Sequence, residues 1–170
     1  MPALNDDHQP LLFAAINAEN SSFLWEMLYQ AVYGPPGTDP PSREILRLPE
    51  LARYVENWGS PGDLGFYAWD AAADEPVGAA WLRLWSPGER GYGWVDDATP
   101  ELSLSLLPGW RGKGIGSLLL AHLLQSSRGR YLAVSLSVTP GNPAQRLYER
   151  VGFVVVDSDV DSIRMLLKFL

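Results

Sequence analysis

The sequence predicts one α/β domain: a mixed, mostly antiparallel central sheet of about six or seven strands with helices on both faces. Three observations carry this prediction. Leu102, Leu104 and Leu106 alternate with Ser103 and Ser105, and Val134, Leu136 and Val138 alternate with Ser135 and Ser137, each a period of two. Between them Ile115, Leu118, Leu119, His122 and Leu123 fall at helical spacing, so strand, glycine-rich turn, helix and strand follow in the order of a right-handed parallel crossover. The 170 residues, 46% hydrophobic and 19% charged, suit one domain that buries a sizeable core.

Residues 11–16 form a short apolar run bounded by polar residues and read as the first strand. From Asn20 the period changes. Phe23, Leu24, Met27, Leu28, Ala31 and Val32 recur at three and four, an amphipathic helix with Asn20, Ser21 or Ser22 as N-cap and Gly34-Pro35-Pro36-Gly37 as its stop. Residues 38–42 read as a loop and residues 44–58 as one or two short helices around Pro49. Residues 65–69 and 77–85 pair as a hairpin. The following loop, residues 86–97, holds Gly88, Gly91 and Gly93 beside Tyr92 and Trp94; its aromatics either line a pocket or cover a sheet edge.

Beyond the crossover, Asn142 and Pro143 open a second helix whose Ala144, Leu147, Tyr148 and Val151 share a face and which Gly152 stops. Residues 153–156 and 163–170 close the chain as two strands. No internal repeat or linker divides it.

Thirteen Lys and Arg against twenty Asp and Glu give a net charge of −7, the opposite of a phosphate-neutralising surface, so nucleic acid is not an expected partner. The absence of cysteine removes disulfides, thiol catalysis and thiolate metal sites. His8 and His122 have no visible partner, and no metal site is expected. The start of the chain lacks the basic and apolar regions of a secretory signal, and no later stretch has the length of a membrane span, which reads as a soluble, cytoplasmic protein without a membrane partner.

The turn Arg111-Gly112-Lys113-Gly114-Ile115-Gly116 lies between strand and helix, where unpaired N–H groups and the helix dipole favour an anion. A Walker loop needs Ser or Thr after Lys113, where Gly114 stands. A dinucleotide fingerprint needs glycine at 117 or 119, which are Ser117 and Leu119. The pattern that fits is Arg-x-x-Gly-x-Gly, from Arg111, Gly114 and Gly116. With it the chain resembles the GNAT superfamily of N-acetyltransferases: residues 104–119, from Leu104 through Pro108-Gly109-Trp110 to Leu119, are similar to that family's cofactor segment, and residues 142–153, with Asn142, Leu147-Tyr148 and Gly152-Phe153, to the helix and strand that follow it. The likeness is close over residues 101–153 and loose over 11–170.

The resemblance implies acetyl-CoA in a V-shaped gap between a splayed parallel strand pair, one strand ending near Leu106 and the other spanning residues 132–138. Backbone amides from Arg111 to Ser117 would hold its pyrophosphate, with Leu104, Leu106, Arg111, Gly112, Lys113, Gly114, Ile115, Gly116, Ser117 and Asn142 as cofactor-binding residues. A strand bulge would free the Leu106 N–H for the thioester oxygen, and Tyr148 would protonate the departing thiolate, its other role being a core aromatic. Ser103, Ser105, Ser135 and Ser137 either leave room for ligand or permit close packing.

Glu101, at the start of the strand that leads to the turn, is either the base that deprotonates the amine or a solvated strand-end carboxylate; Asp96 and Asp97 are rivals that would instead attract a cationic amine, Asp96 as part of the acceptor pocket. The resemblance implies an acceptor pocket walled by Trp25, Tyr29, Tyr33, Trp85, Tyr92 and Trp94. The expected activity is direct acetyl transfer from acetyl-CoA to a primary amine, because no cysteine can carry the acetyl group. A non-catalytic acyl-CoA-binding sensor or partner domain is the alternative. The acceptor, a small molecule or a peptide, the acyl-chain preference and the oligomeric state, a homodimer among the possibilities, stay open.

Overall fold

The alternating segments become neighbouring strands of one eight-stranded sheet in a computed structural model that describes residues 3–32 and 34–170. Tyr33, expected among the acceptor-pocket aromatics, lies outside the described residues. In chain order the strands are β1 (Ala3–Leu4), β2 (Pro10–Ala15), β3 (Leu64–Asp70), β4 (Glu75–Arg83), β5 (Glu101–Leu106), β6 (Ala133–Val138), β7 (Val154–Ser158) and β8 (Ile163–Lys168). They lie in the order β1-β2-β3-β4-β5-β6-β8-β7. Every pairing is antiparallel except β5 with β6. The extra strand, β1, is two residues long and carries no period. It is held by a turn in which Asn5 Oδ1 accepts the N–H groups of Asp7 at 3.1 Å and Gln9 at 2.8 Å.

Helix α1 (Phe23–Ala31) has Ser22 at its N-cap without a side-chain bond. Asn20, another of the three candidates, turns back to accept the Asn17 N–H at 2.8 Å. A 3-10 turn at Arg43–Arg47 and the short α2 (Pro49–Ala52) follow, split at Pro49 because proline suits a first helical position. Helices α3 (Ile115–Ser127) and α4 (Ala144–Val151) complete the set. Asn142 Oδ1 accepts the Ala144 N–H at 3.0 Å as a cap, and Gly152, at φ 109, stops α4 where a side chain would be strained.

The sheet separates two cores. On one face Leu119, Leu120 and Leu123 of α3 and Tyr148 of α4 pack on Leu82, Leu102, Val134, Leu136 and Met165. On the other, Leu24, Met27 and Leu28 of α1 pack with Tyr54, Tyr67, Trp81 and Trp85. The bulky positions of β5 and β6 thus meet α3. The small positions of β5 face α1, which lets that helix come close enough for Ser105 Oγ to donate to Met27 O at 2.6 Å. The fully buried Trp81 anchors the second core by donating its Nε1 to Tyr54 O at 3.0 Å. Arg83 also points into this side, donating to Asp63 at 2.9 and 3.1 Å and to the carbonyls of Arg53 and Glu56, so it fastens the segment that carries Tyr54. His122 packs between Phe13 and Phe66, at 4.7 and 4.4 Å between ring centres. No described helix is long and apolar enough to cross a membrane.

The bulge expected at Leu106 is not formed. The β4–β5 register runs unbroken from Gly78 opposite Leu106 to Arg83 opposite Glu101; the sheet's register shifts fall between Ala68 and Trp69 and between Val155 and Asp157. The reason is local. A Cβ at Gly78 would stand 2.2 Å from Leu106 Cδ2, so glycine there gives Leu106 room to stay in register.

Candidate active site

The parallel pair touches at one position, Glu101 opposite Ser135, with the Ser135 N–H donating to Pro100 O at 3.0 Å; beyond it β5 and β6 separate. The separation leaves strand edges facing a gap. Leu107 N–H donates to Val77 O at 2.9 Å, so by the alternation of an antiparallel ladder the peptide groups of Leu104 and Leu106 point away from β4, into the gap. A regular strand therefore presents the Leu106 N–H without the expected bulge.

A cleft of about 860 Å³ occupies this gap, lined by Leu104, Leu106, Arg111, Gly112, Gly114, Gly116, Ser117 and Asn142 among others. Gly112 and Gly114 both have positive φ, 73° and 79°, which shapes the turn. No side chain caps α3, so its first-turn N–H groups remain available to an anion. Ile115 is fully buried in the core and Lys113 lies outside the lining, so only their peptide groups belong to the turn. Lys113 pairs with Asp7 at 3.3 Å, and its carbonyl accepts the Asp6 N–H at 2.8 Å. Arg111 reaches back, donating to Leu106 O at 3.2 Å and Gln30 Oε1 at 3.0 Å. Glycine backbone, an uncapped helix end and exposed strand edges on one cleft fit an extended ligand with a phosphate-bearing arm.

A smaller cavity of about 260 Å³ adjoins the cleft through the shared residues Ala31, Val32, Leu104, Asn142 and Ala144. It brings together Glu101 and Tyr148. Glu101 is 2% exposed, and burial raises its carboxyl pKa to about 7. The Tyr54 hydroxyl and the Gly93 N–H, both hydrogen-bonded to it, favour the charged form and limit the rise, as does the Arg164 charge. Glycines make this contact possible. A Cβ on Gly91 would lie 2.5 Å from the Tyr54 hydroxyl, and one on Gly93 2.6 Å from the Leu136 carbonyl carbon. Tyr148 is buried beside Phe153, at 5.8 Å between ring centres, and its hydroxyl pKa is pushed up to about 12. It holds its proton at neutral pH.

The Acetyltransferase (GNAT) family model matches residues 25–153. The chain belongs to this acetyltransferase family. The family uses acetyl-CoA as its acetyl donor. The GNAT domain of S. lividans PAT superposes with a TM-score of 0.70 at 14% identity, over 99% of this chain and 96% of that one. The acetyltransferase structure yncA from Salmonella typhimurium, solved with its cofactor acetyl-CoA, gives 0.65 at 19% identity over 93% of both chains. The spermidine/spermine N-acetyltransferase SpeG from Vibrio cholerae gives 0.60 at 20% identity, also over 93% of both. No curated protein sequence matches at a significant level.

Several residues expected in the acetyltransferase's acceptor pocket lie elsewhere. Trp25 is partly exposed and lines neither cavity. Trp85 is buried edge-on against Tyr54 at 5.0 Å, and its Nε1, without a hydrogen bond, lies beside Glu101. Trp94 stacks under Arg90 at 3.7 Å and donates to Asp97, while exposed Asp96 accepts the Ala98 N–H at 2.9 Å; both belong to the loop's own fold. Tyr29 lines the larger cleft, its hydroxyl donating to Pro41 O at 2.7 Å. Ser103 and Ser137 line the smaller cavity, whereas Ser135 is fully buried and its hydroxyl has no hydrogen bond among the described residues.

Tyr54 is the residue that sequence reasoning missed. It sits in an irregular stretch with no motif, and only the packing of that stretch on β4 brings it to Glu101.

Proposed function

We propose that the protein is an N-acetyltransferase that moves an acetyl group directly from acetyl-CoA to a primary amine. The observation that carries this is the buried Glu101 carboxylate in one cavity with Tyr148, next to the cleft of the glycine turn. When bound, acetyl-CoA supplies the activated thioester carbonyl. Gly112, Gly114, Gly116 and Ser117 hold the pyrophosphate by their amides, and Leu104 and Leu106 bind along the strand edge. The Leu106 N–H donates to the thioester oxygen where negative charge develops.

Glu101 takes a proton from the ammonium, directly or through water, because a carboxylate with a pKa of about 7 is a stronger base than an ordinary one. The amine nitrogen forms the C–N bond as the C–S bond breaks, and the second proton it must lose passes to solvent. Tyr148 gives its phenolic proton to the departing sulfur and recovers one from solvent, and Glu101 releases its own. With no cysteine to form an acyl-enzyme, one transfer step is the economical route. We place the reaction in the cytoplasm and read residues 1–170 as a single transferase domain.

Thiol release from acetyl-CoA across an amine panel, paired with calorimetry on Gly114→Glu, tests this reading. Wild type should bind acetyl-CoA and turn over. The variant should bind none, because its side chain fills the turn at a positive φ and meets Asp6, whose Oδ1 lies 2.5 Å from the Cβ position. Binding without turnover of any amine would overturn catalysis.

A further inference from the structure

The smaller cavity has apolar walls in Leu28 of α1, Leu51 of α2 and the rings of Tyr54 and Tyr92, with Val32 where it meets the cleft, and hydroxyls from Ser103, Ser137 and Thr139. The two rings lie nearly parallel, 13° apart in plane and 6.5 Å between centres, and Tyr92 is half exposed at the mouth. Among the described lining residues Glu101 is the only Asp, Glu, Lys or Arg. A second ammonium entering here would lose water without a carboxylate to replace it. A substrate carboxylate would sit near Glu101 without a cation, since the nearby Arg164 is held by Asp157 at 3.3 Å and donates to Tyr92 O. Asp6, beside the turn, and Asp39 line the other cleft.

We propose that the acceptor is a primary monoamine on an apolar or aromatic body with no second charge, of the arylalkylamine class, its nitrogen at Glu101 and its body between Leu28, Val32, Leu51 and Tyr92. This rests on the transferase reading above. It sets the chain apart from a polyamine enzyme such as the structural neighbour from Vibrio cholerae. Leu51 and Val32 are then specificity-determining: each places a hydrocarbon where a diamine needs a charge.

The full chain is assayed by thiol release with 2-phenylethylamine, spermidine and L-phenylalanine, and the same amines are titrated calorimetrically into the protein without donor. Phenylethylamine should exceed both others by at least about tenfold in kcat/KM and in affinity, the scale of one unpaired charge in a half-buried site. Leu51→Glu should move the phenylethylamine-to-spermidine ratio about tenfold toward spermidine with acetyl-CoA affinity unchanged. If that variant does not melt cooperatively, Tyr92→Glu, at a half-exposed residue that lines the smaller cavity and not the cleft, serves the same purpose. A wild-type preference for spermidine or phenylalanine overturns the acceptor class and leaves the transferase standing. Acetyl-CoA binding with no amine acetylated overturns both.

Discussion

The Tyr54 hydroxyl accepts the Tyr92 N–H at 2.7 Å while hydrogen bonding to the Glu101 carboxylate, so one phenol joins the segment after α2, the glycine loop and the first residue of β5. That junction fixes where the carboxylate points. Tyr54→Phe removes it and leaves the ring, and should raise the pKa of Glu101 further, shifting the rising limb of the kcat/KM profile to higher pH. An unshifted limb would separate Tyr54 from the base.

Glu101→Gln should lower kcat about 10²- to 10⁴-fold, the range for a positioned acid or base, and abolish the rising limb near pH 7. The same group affects stability with a definite sign. Its pKa is raised from 4.5 to about 7 on folding, so its stabilising effect is complete below about pH 4.5 and is lost as pH rises through about 7. The loss is on the order of 3 kcal/mol. Denaturant melts of wild type and Glu101→Gln at pH 5 and pH 8 should show the variant gaining relative to wild type at the higher pH.

Tyr148→Phe keeps the ring against Phe153 and removes the proton donor. Its kcat should fall about 10²-fold or more, with acetyl-CoA affinity within about twofold of wild type. A matched loss of affinity in calorimetry would mean that the hydroxyl binds the donor instead.

Gly93→Ala places a methyl 2.6 Å from Glu101 Oε1 and 2.8 Å from the Ser137 nitrogen, and backbone cannot yield cheaply. It should cost about 1–3 kcal/mol and depress activity by displacing the carboxylate. Gly109→Ala is the control, since a Cβ there meets nothing within 4 Å at an ordinary φ. Urea titration and the thiol assay read both variants.

Arg83→Ala removes the cation from the Asp63 carboxylate, whose side chain is 2% exposed and keeps only the Gly59 and Ser60 N–H groups, and it releases the Arg53 and Glu56 carbonyls. A loss of about 3–5 kcal/mol is expected from breaking one side of a buried pair. Chemical denaturation measures it, and an effect under about 1 kcal/mol would show that water replaces the guanidinium.

Much of the architecture was legible because period survives in a single chain: β5, β6, α3 and α4 each carry an alternation or a helical stripe, and Gly152 marks a stop by its lack of Cβ. The glycine turn was legible for the same reason, since its spacing is local. β1 escaped because two residues hold no period. The bulge at Leu106 was inherited from a resemblance, and a single glycine across the ladder, Gly78, removes the need for it.

By itself the sequence determined the strand-turn-helix order, the anion-ready turn, the absence of thiol chemistry and the candidacy of Glu101 and Tyr148. Whether Glu101 was buried or solvated, which serines faced ligand or helix, and which aromatics walled the cavity were decided by tertiary structure. The physical reason is range: hydrogen bonding and periodicity act between near neighbours in the chain, whereas desolvation depends on what long-range packing brings alongside. For Glu101 that is a tyrosine 47 residues earlier and two glycines whose missing side chains leave it room.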